Sequence, residues 1–454
     1  MSDLLLADLD RRTVLQGAAA LGVPVALSRR RRRRRRLDQQ EGDGSGLPRI
    51  ASEQAEHLAA AVGVVIHLHF GGTVYAHTGR VVDAVSDLGV RHVRNRITRT
   101  TGGRQGFTEL ARRGVRINGV CGAAGDPQTM FEVFSEIMRT YPDPTAVFSS
   151  FEGINEPNLM GRPWVEETRL KTRGLWLQRQ AQGLQEIPIV APALARLEYG
   201  GVEGADTQAQ SANLGSLAQY VDYGNIHVYP RGMNPGTDID EFMGYQRAVV
   251  GNKPMYCTEG GYFTGMNYVG GSNPTPADTA AKYTPRQIME HWSRGNKRFF
   301  NYELLDDHDP SGADRESNFG LLAVEGNGPD DRWTPKPAYT AIKNFVAILG
   351  DPGGSHAPCG LRLQVSGVPD LRTALVAKRD RSRYLVMWRD VLSYDPRARQ
   401  AVETSTRTAS VAIGRPRDVQ VFLPNRSASP VQRLGTVDRF EVPVGDELVI
   451  CRIL

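Results

Sequence analysis

The sequence predicts an α/β fold, a (β/α)8 TIM barrel followed by a C-terminal all-β sandwich domain, and three observations lead there. Between about 60 and 350, short apolar runs alternate with amphipathic segments of helical length, the pattern of a parallel sheet with crossover helices. Eight such runs fit in that stretch, which suits a closed barrel better than an open sheet, and there is no Gly-rich dinucleotide fingerprint to favour the latter. The segment Gly350-Asp351-Pro352-Gly353-Gly354-Ser355 then breaks the pattern, and shorter, alternating runs take over.

The predicted barrel strands are 62–70, 90–96, 115–121, 146–155, 187–194, 224–229, 254–259 and 299–305. Helical patterns occupy 79–88, 128–140, 164–182, 238–250, 285–295 and 336–349, the last as the eighth barrel helix. The barrel is expected over 59–351 and the sandwich over 356–454, with strands near 373–377, 382–388, 410–413, 418–422 and 447–453. Residues 37–58 are polar and Gly-containing and read as a linker. Two long connections, 262–284 after the seventh strand and 306–335 after the eighth, would rise from the C-terminal face of the barrel, where active sites are built.

At 454 residues and 40% hydrophobic composition the chain is an ordinary globular protein. Its formal charge of +5 comes from one end. Residues 1–36 hold ten Arg and three Asp, so the rest carries 45 basic against 47 acidic residues, about −2. A body near neutrality gives no electrostatic reason to expect a nucleic-acid partner. Asp10-Arg11-Arg12-Thr13-Val14-Leu15-Gln16 resembles a twin-arginine export motif, and the weakly apolar stretch 14–27 after it is too short for a comfortable membrane span. The expected localisation is therefore secreted or periplasmic, with no stable membrane insertion. The run Arg29 to Arg36 departs from such signals and keeps a cytoplasmic protein with a basic tail as the alternative. Cys121 and Cys257 fall in apparent barrel strands as buried thiols, whereas Cys359 and Cys451 could pair if the terminal strands are neighbours.

Cleaving a glycosidic bond requires two carboxyl groups flanking the anomeric carbon, one to protonate the departing oxygen and one to attack or to activate water. Phe151-Glu152-Gly153-Ile154-Asn155-Glu156-Pro157-Asn158, at the end of the fourth strand, supplies one candidate. Lys253-Pro254-Met255-Tyr256-Cys257-Thr258-Glu259-Gly260-Gly261, at the end of the seventh, supplies the other, with glycines that allow a sharp turn. Burial beneath apolar walls is expected to raise the pKa of Glu156 and keep it protonated.

These two segments resemble clan A retaining glycoside hydrolases. Asn-Glu-Pro resembles the acid/base motif of the clan, and the wider Glu-x-x-Asn-Glu-Pro-Asn is similar to the xylosidase and iduronidase family, number 39. By that resemblance Glu156 is the general acid/base, Glu259 the nucleophile, and Asn155 a ligand of the sugar 2-hydroxyl. It also implies that the sixth strand, Asn225-Ile226-His227-Val228-Tyr229-Pro230, brings His227 to the acid/base or a hydroxyl and Tyr229 to the nucleophile, though either could be a core residue. Arg94 on the second strand would orient the nucleophile, with a surface charge as its alternative.

His67 and His69 share a face at the end of the first strand; His69 is a candidate for a sugar hydroxyl, and no third ligand at metal spacing accompanies the pair. On the eighth strand Tyr302 stands where the clan places a Trp platform, and Glu303 is a candidate hydroxyl ligand. Trp164, Tyr262, Phe263 and Tyr268 are further stacking surfaces or loop packing. The acidic segment 306–318 lacks the regular oxygen spacing of a calcium loop and reads as a solvated lid. The expectation is a retaining hydrolase acting on an oligo- or polysaccharide without cofactor or metal. A catalytically silent carbohydrate-binding protein on the same barrel is the alternative.

Overall fold

The computed structural model describes residues 46–122, 128–160, 163–307, 309 and 311–454. The export-like segment 1–36 lies outside them. Eight parallel strands form the barrel: β1 Val62–Val65, β2 His92–Arg96, β3 Arg116–Val120, β4 Phe148–Glu152, β5 Ile189–Val190, β6 Gly224–Val228, β7 Met255–Gly260 and β8 Phe299–Asn301. They pair in the order β6-β7-β8-β1-β2-β3-β4-β5, and a parallel bridge between Val190 and Tyr223 closes the ring. Helices follow the strands: α1 Thr78–Leu88, α2 Thr101–Arg112, α3 Met130–Thr140, α4 Trp164–Ala181, α5 Ala205–Leu214, α6 Ile239–Val250, α7 Ala277–Ser293 and α8 Pro337–Leu349. Among the described residues, no helix is long and apolar enough to cross a membrane.

A barrel sheet is covered on both faces, and β4, β6 and β7 are buried along their whole length, polar residues such as Ser150, Asn225 and Thr258 included. The floor of the barrel is filled by Val65, Val190, Tyr256 and Phe300. Gly63 is required beside them, because a Cβ there would lie 2.4 Å from Cδ1 of Phe300. Above this floor the interior turns polar, and it is there that the strand ends gather chemistry.

Several elements differ from the sequence expectation. The first strand ends at Val65, so His67, His69 and Phe70 belong to the turn beyond it. Helices α2 and α5 lacked a readable pattern; Gly102, Gly103 and Gly106 dilute the first, yet Phe107 and Leu110 still give it a buried face. Helix α7 starts at Ala277 and runs through Pro285, because its buried face already includes Ala280, Ala281 and Tyr283. The connection after β7 is correspondingly shorter than 262–284. Part of the supposed linker is ordered, since Arg49–Ile50 and Glu53–Gln54 pair with strands of the C-terminal domain.

That domain contains β9 Leu361–Ser366, β10 Leu371–Ala377, β11 Arg383–Arg389, β12 Arg407–Phe422, β13 Gln432–Val444 and β14 Val449–Ile453. Strand β12 is long and shifts register between Ala412 and Arg417. Its first half pairs with β9 and its second with β14, so one strand serves both sides of a common core. The four cysteines are free, and Cys451 is buried in this core, so the Cys359–Cys451 disulfide left open by the sequence is not formed.

Strand β11 is buried on both faces. Leu385 and Met387 fill the C-terminal core, while Tyr384, Val386 and Trp388 join the core of the barrel. Helix α7 latches onto the same region. Glu290 Oε1 accepts from Trp388 Nε1 at 2.6 Å, and Arg286 donates to the carbonyls of Arg389 and Val391 at 2.9 Å and to Ser393 Oγ at 3.0 Å. Arg286→Met would strand those acceptors away from water. The expected loss is about 2–3 kcal/mol of unfolding free energy, read as a lower urea midpoint; an unchanged midpoint would contradict the latch.

Candidate active site

Five barrel strands deliver the polar groups at the C-terminal end of the barrel. Arg94 of β2 is the hub, 4% exposed. Its Nε and Nη2 donate to the two oxygens of Glu152 at 2.9 and 2.7 Å, its Nη1 to Glu259 Oε1 at 2.6 Å, and Nη2 also to Asn155 Oδ1 at 2.6 Å. Burial works against this charge, but the Glu152 and Glu259 carboxylates outweigh it and raise the guanidinium pKa. A planar fork with donors on two edges grips Glu152 with two parallel bonds and still reaches Glu259, a bidentate geometry that a lysine ammonium does not offer. Glu152 is fully buried and also accepts from Asn118 Nδ2 and, at 3.2 Å, from Thr258 Oγ1.

Two irregularities aim the side chains. Between β6 and β7 the pairing steps from Ile226–Cys257 to His227–Glu259, leaving Thr258 as an extra residue. Without that bulge, successive residues would face opposite sides. With it, Thr258 Oγ1 reaches Asn225 Oδ1 at 2.9 Å and His227 Nε2 at 3.0 Å, while Glu259 still turns toward Arg94 and Tyr229. After β4, Glu156 adopts φ 40° and ψ 54°, a left-handed conformation that costs of order 1 kcal/mol for a non-glycine residue. Pro157 opens the 3-10 turn Pro157–Leu159 behind it. Asn158 then clamps this turn to the segment after β5, donating to the Ala195 carbonyl at 3.0 Å and accepting from its amide at 2.9 Å.

Glu156 and Glu259 meet across His227. Its Nδ1 lies 2.7 Å from Glu156 Oε1 and 3.5 Å from Glu259 Oε2, and these three groups present atoms all within 4.8 Å of one another. Tyr229 OH donates to Glu259 Oε2 at 2.7 Å. Burial and the neighbouring Glu259 raise the tyrosine pKa well above its usual value, so it stays a donor. Glu156 does not behave as expected from burial. Burial does push its pKa up, but the hydrogen bond and charge of His227, with Arg94 and Arg315, overcome this and lower it. For His227 burial opposes the charge, and Glu259 and Glu156 together raise its pKa above the ordinary histidine value. The two groups therefore share a proton across a 2.7 Å contact. The three clustered groups are also close enough to grip a metal ion, but their facing atoms already have partners in His227, Arg94 and Tyr229.

A cavity of about 770 Å³ opens over this cluster. Of the residues singled out from the sequence, Arg94, Asn155, Glu156, His227, Tyr229, Glu259, His69 and Tyr302 line it. Glu303 does not. Its carboxyl accepts from Tyr75 OH at 2.7 Å behind the wall, and burial raises its pKa far above the carboxylate range. Between it and the cavity stands His67, whose Nε2 lies 3.1 Å from the Glu303 carboxyl. Trp164, Tyr262 and Phe263 are buried packing; Tyr268 reaches the cavity, as do Phe70, Arg315 and Phe319, which the sequence did not single out.

The long connections after β7 and β8 are zipped together. Thr264 N donates to the Asn318 carbonyl at 3.0 Å, and Asn267 Nδ2 to that of Ser311 at 2.7 Å. In the acidic segment the Asp309 oxygens accept from Ser311, Asp314 and Asn318, which holds its pKa down to about 2. These donors organise a loop where a cation would need free oxygens.

No protein-family model matches the chain, and no curated protein sequence does. Solved structures do share its fold. A family 39 glycoside hydrolase from the gut symbiont Bacteroides cellulosilyticus WH2 is similar at 12% identity, over 89% of this chain and 82% of that one, with a TM-score of 0.56. A glucosidase from Croceicoccus marinus is similar at 10% identity, over 90% and 97%, with a TM-score of 0.57. A GH39 β-xylosidase from Caulobacter crescentus is similar at 13% identity, over 89% and 98%, with a TM-score of 0.53. At these identities the likeness establishes the architecture, a TIM barrel with a C-terminal β domain, and the chemistry has to be argued from the site.

Proposed function

We propose that the protein is a retaining glycoside hydrolase with Glu259 as nucleophile and Glu156 as acid/base. The observation that carries this reading is the approach of the two carboxylates to within 4.8 Å, at the ends of β4 and β7, on the floor of the cavity. A retaining pair stands about 5–5.5 Å apart and an inverting pair, which must admit a water, about 6.5–9.5 Å. The similarity in fold to proteins described as glycoside hydrolases supports the same class.

In the first step a Glu259 oxygen, held by Arg94 and Tyr229, attacks the anomeric carbon. The bond to the leaving oxygen breaks with its electron pair, and that oxygen takes the proton of the Glu156–His227 pair through Glu156. In the second step Glu156 takes a proton from water, the resulting hydroxide oxygen bonds to the anomeric carbon, and the Glu259 carboxylate is released. Asn155, fixed by Arg94, is placed to bond the neighbouring hydroxyl.

His227 makes the reading testable through pH. In the parent the last proton of the pair leaves at the raised pKa of His227, so activity should fall on the basic side above the usual histidine range. In His227→Gln the carboxyl of Glu156 must hold the proton alone. The basic limb of kcat/KM should then move to lower pH by about 2 units, the gap between ordinary Glu and His values. Turnover of aryl glycosides followed from pH 4 to 9 measures this, and an unmoved limb would count against the shared proton.

A further inference from the structure

The N-terminal end of the barrel holds a second group of polar side chains, at the opposite end from the catalytic cluster. The neighbouring strands β8, β1, β2 and β3 build it. On β2, His92 stands two residues before Arg94 and so faces the barrel interior as Arg94 does. Arg116 of β3 pairs with His92 in the sheet and shares that face. Arg298 lies two residues before Phe300 of the barrel floor. Its guanidinium carbon is 5.6 Å from the ring centroid of Tyr256, another floor residue.

Two guanidiniums and an imidazole thus lie together beneath the floor, and each has an unmet polar atom. Among the described residues, Arg116 Nε, Arg298 Nη1 and His92 Nδ1 are buried without a hydrogen-bond partner. His92 as a whole is 7% exposed. Buried polar atoms are seldom left in that state unless something binds them. Arg116 donates through Nη2 to the carbonyls of Thr145 and Phe148, at 2.8 and 2.7 Å.

Three acids at this end of the barrel are engaged elsewhere. Asp143 accepts from the amides of Thr145 and Ala146 at the head of the turn Pro144–Val147. Asp222 pairs with Arg179 and accepts from Ile189 N at 2.8 Å, and Glu56 pairs with Arg91. Burial and the charge of Arg298 lower the pKa of Arg116. Burial, with the charges of Arg298, Arg116 and Arg91, presses that of His92 far below the ordinary histidine value. The ring is therefore neutral near pH 7 and carries one N–H. Like charges held together away from bulk water cost stability unless a counter-charge joins them.

We propose that Arg116, Arg298 and His92 form a binding site for a small tetrahedral oxyanion such as phosphate or sulfate, beneath the barrel floor. The two guanidiniums offer N–H donors that oxyanions accept, and the imidazole N–H adds a third. A water molecule could meet the same donors, but it brings no negative charge to offset the two arginines. The anion fastens the starts of β2, β3 and β8, at the end of the barrel that serves stability rather than chemistry. Because it binds the folded chain, it should raise the unfolding temperature.

Thermal unfolding of the full chain at pH 7 and constant ionic strength is followed while sodium chloride is replaced by sodium phosphate or sodium sulfate. Tm should rise along a saturating curve by about 2–4 °C. General salt stabilisation by these anions grows without saturating, so an unsaturating rise, or none, would overturn the inference. Arg298 is partly exposed and Arg116 half-buried, so Arg298→Gln and Arg116→Gln should both fold. Each should move the midpoint of the saturating curve to about tenfold higher anion concentration or beyond. A midpoint unchanged in either variant would contradict the site. The readout is stability throughout, so the outcome is independent of the hydrolase reading.

Discussion

Glu259→Gln should lower kcat by about 10⁴–10⁶-fold, the range seen when a covalent nucleophile is removed from an otherwise intact site. The amide can still accept a hydrogen bond from Arg94 or Tyr229, so fold and ligand affinity should survive while the attacking oxygen is lost. Calorimetry with the preferred sugar separates the two, since Kd should change little. The cavity left by Glu259→Ala offers a second readout. A small anion such as azide can enter it and attack the anomeric carbon directly, giving a glycosyl azide of inverted configuration from an activated aryl glycoside. A protein that only binds sugars would show no turnover to lose and no azide product, which separates it from an enzyme.

Arg94→Met should be the most destabilising single change at the site. It leaves Glu152, fully buried, and Glu259 without their shared cation, and removing one partner of a buried ion pair costs about 3–5 kcal/mol. Activity should fall as well, by at least about 100-fold, because Glu259 and Asn155 lose the donor that fixes them. Adding Glu152→Gln to Arg94→Met removes one uncompensated charge and should recover a substantial part of the lost stability but none of the activity. Urea unfolding of the two variants beside the parent measures this. If the single variant were as stable as the parent, Arg94 would not be the hub.

Much of this arrangement was legible in the sequence because strand ends announce themselves. Glu156 and Glu259 stand just after two predicted strands, each followed by Pro or Gly, and in a barrel every strand end points to the same face. What stayed hidden needed three dimensions. Glu152 stands in the same motif as Glu156, but only the structure shows it fully buried against Arg94. The bulge at Thr258 breaks the alternation from which a sequence assigns faces, so two adjacent side chains enter the site where one was expected. The direction of the Glu156 pKa was not legible, because burial was visible as apolar context, whereas His227, 71 residues away, was not visible as the partner that lowers it. Tyr75, which withdraws Glu303 from the cavity, lies 228 residues from it, and such pairs are fixed only when the barrel closes. In the C-terminal domain β13 was overlooked because much of it is exposed and charged, held by its pairing with β12 more than by an apolar pattern.

The central claim is the retaining geometry of Glu156 and Glu259, and the configuration of the first product tests it most directly. Proton NMR of a β-glycoside during hydrolysis, recorded before mutarotation sets in, should show the β-hemiacetal appearing first. First appearance of the α-hemiacetal would mean single displacement by water and would contradict the account.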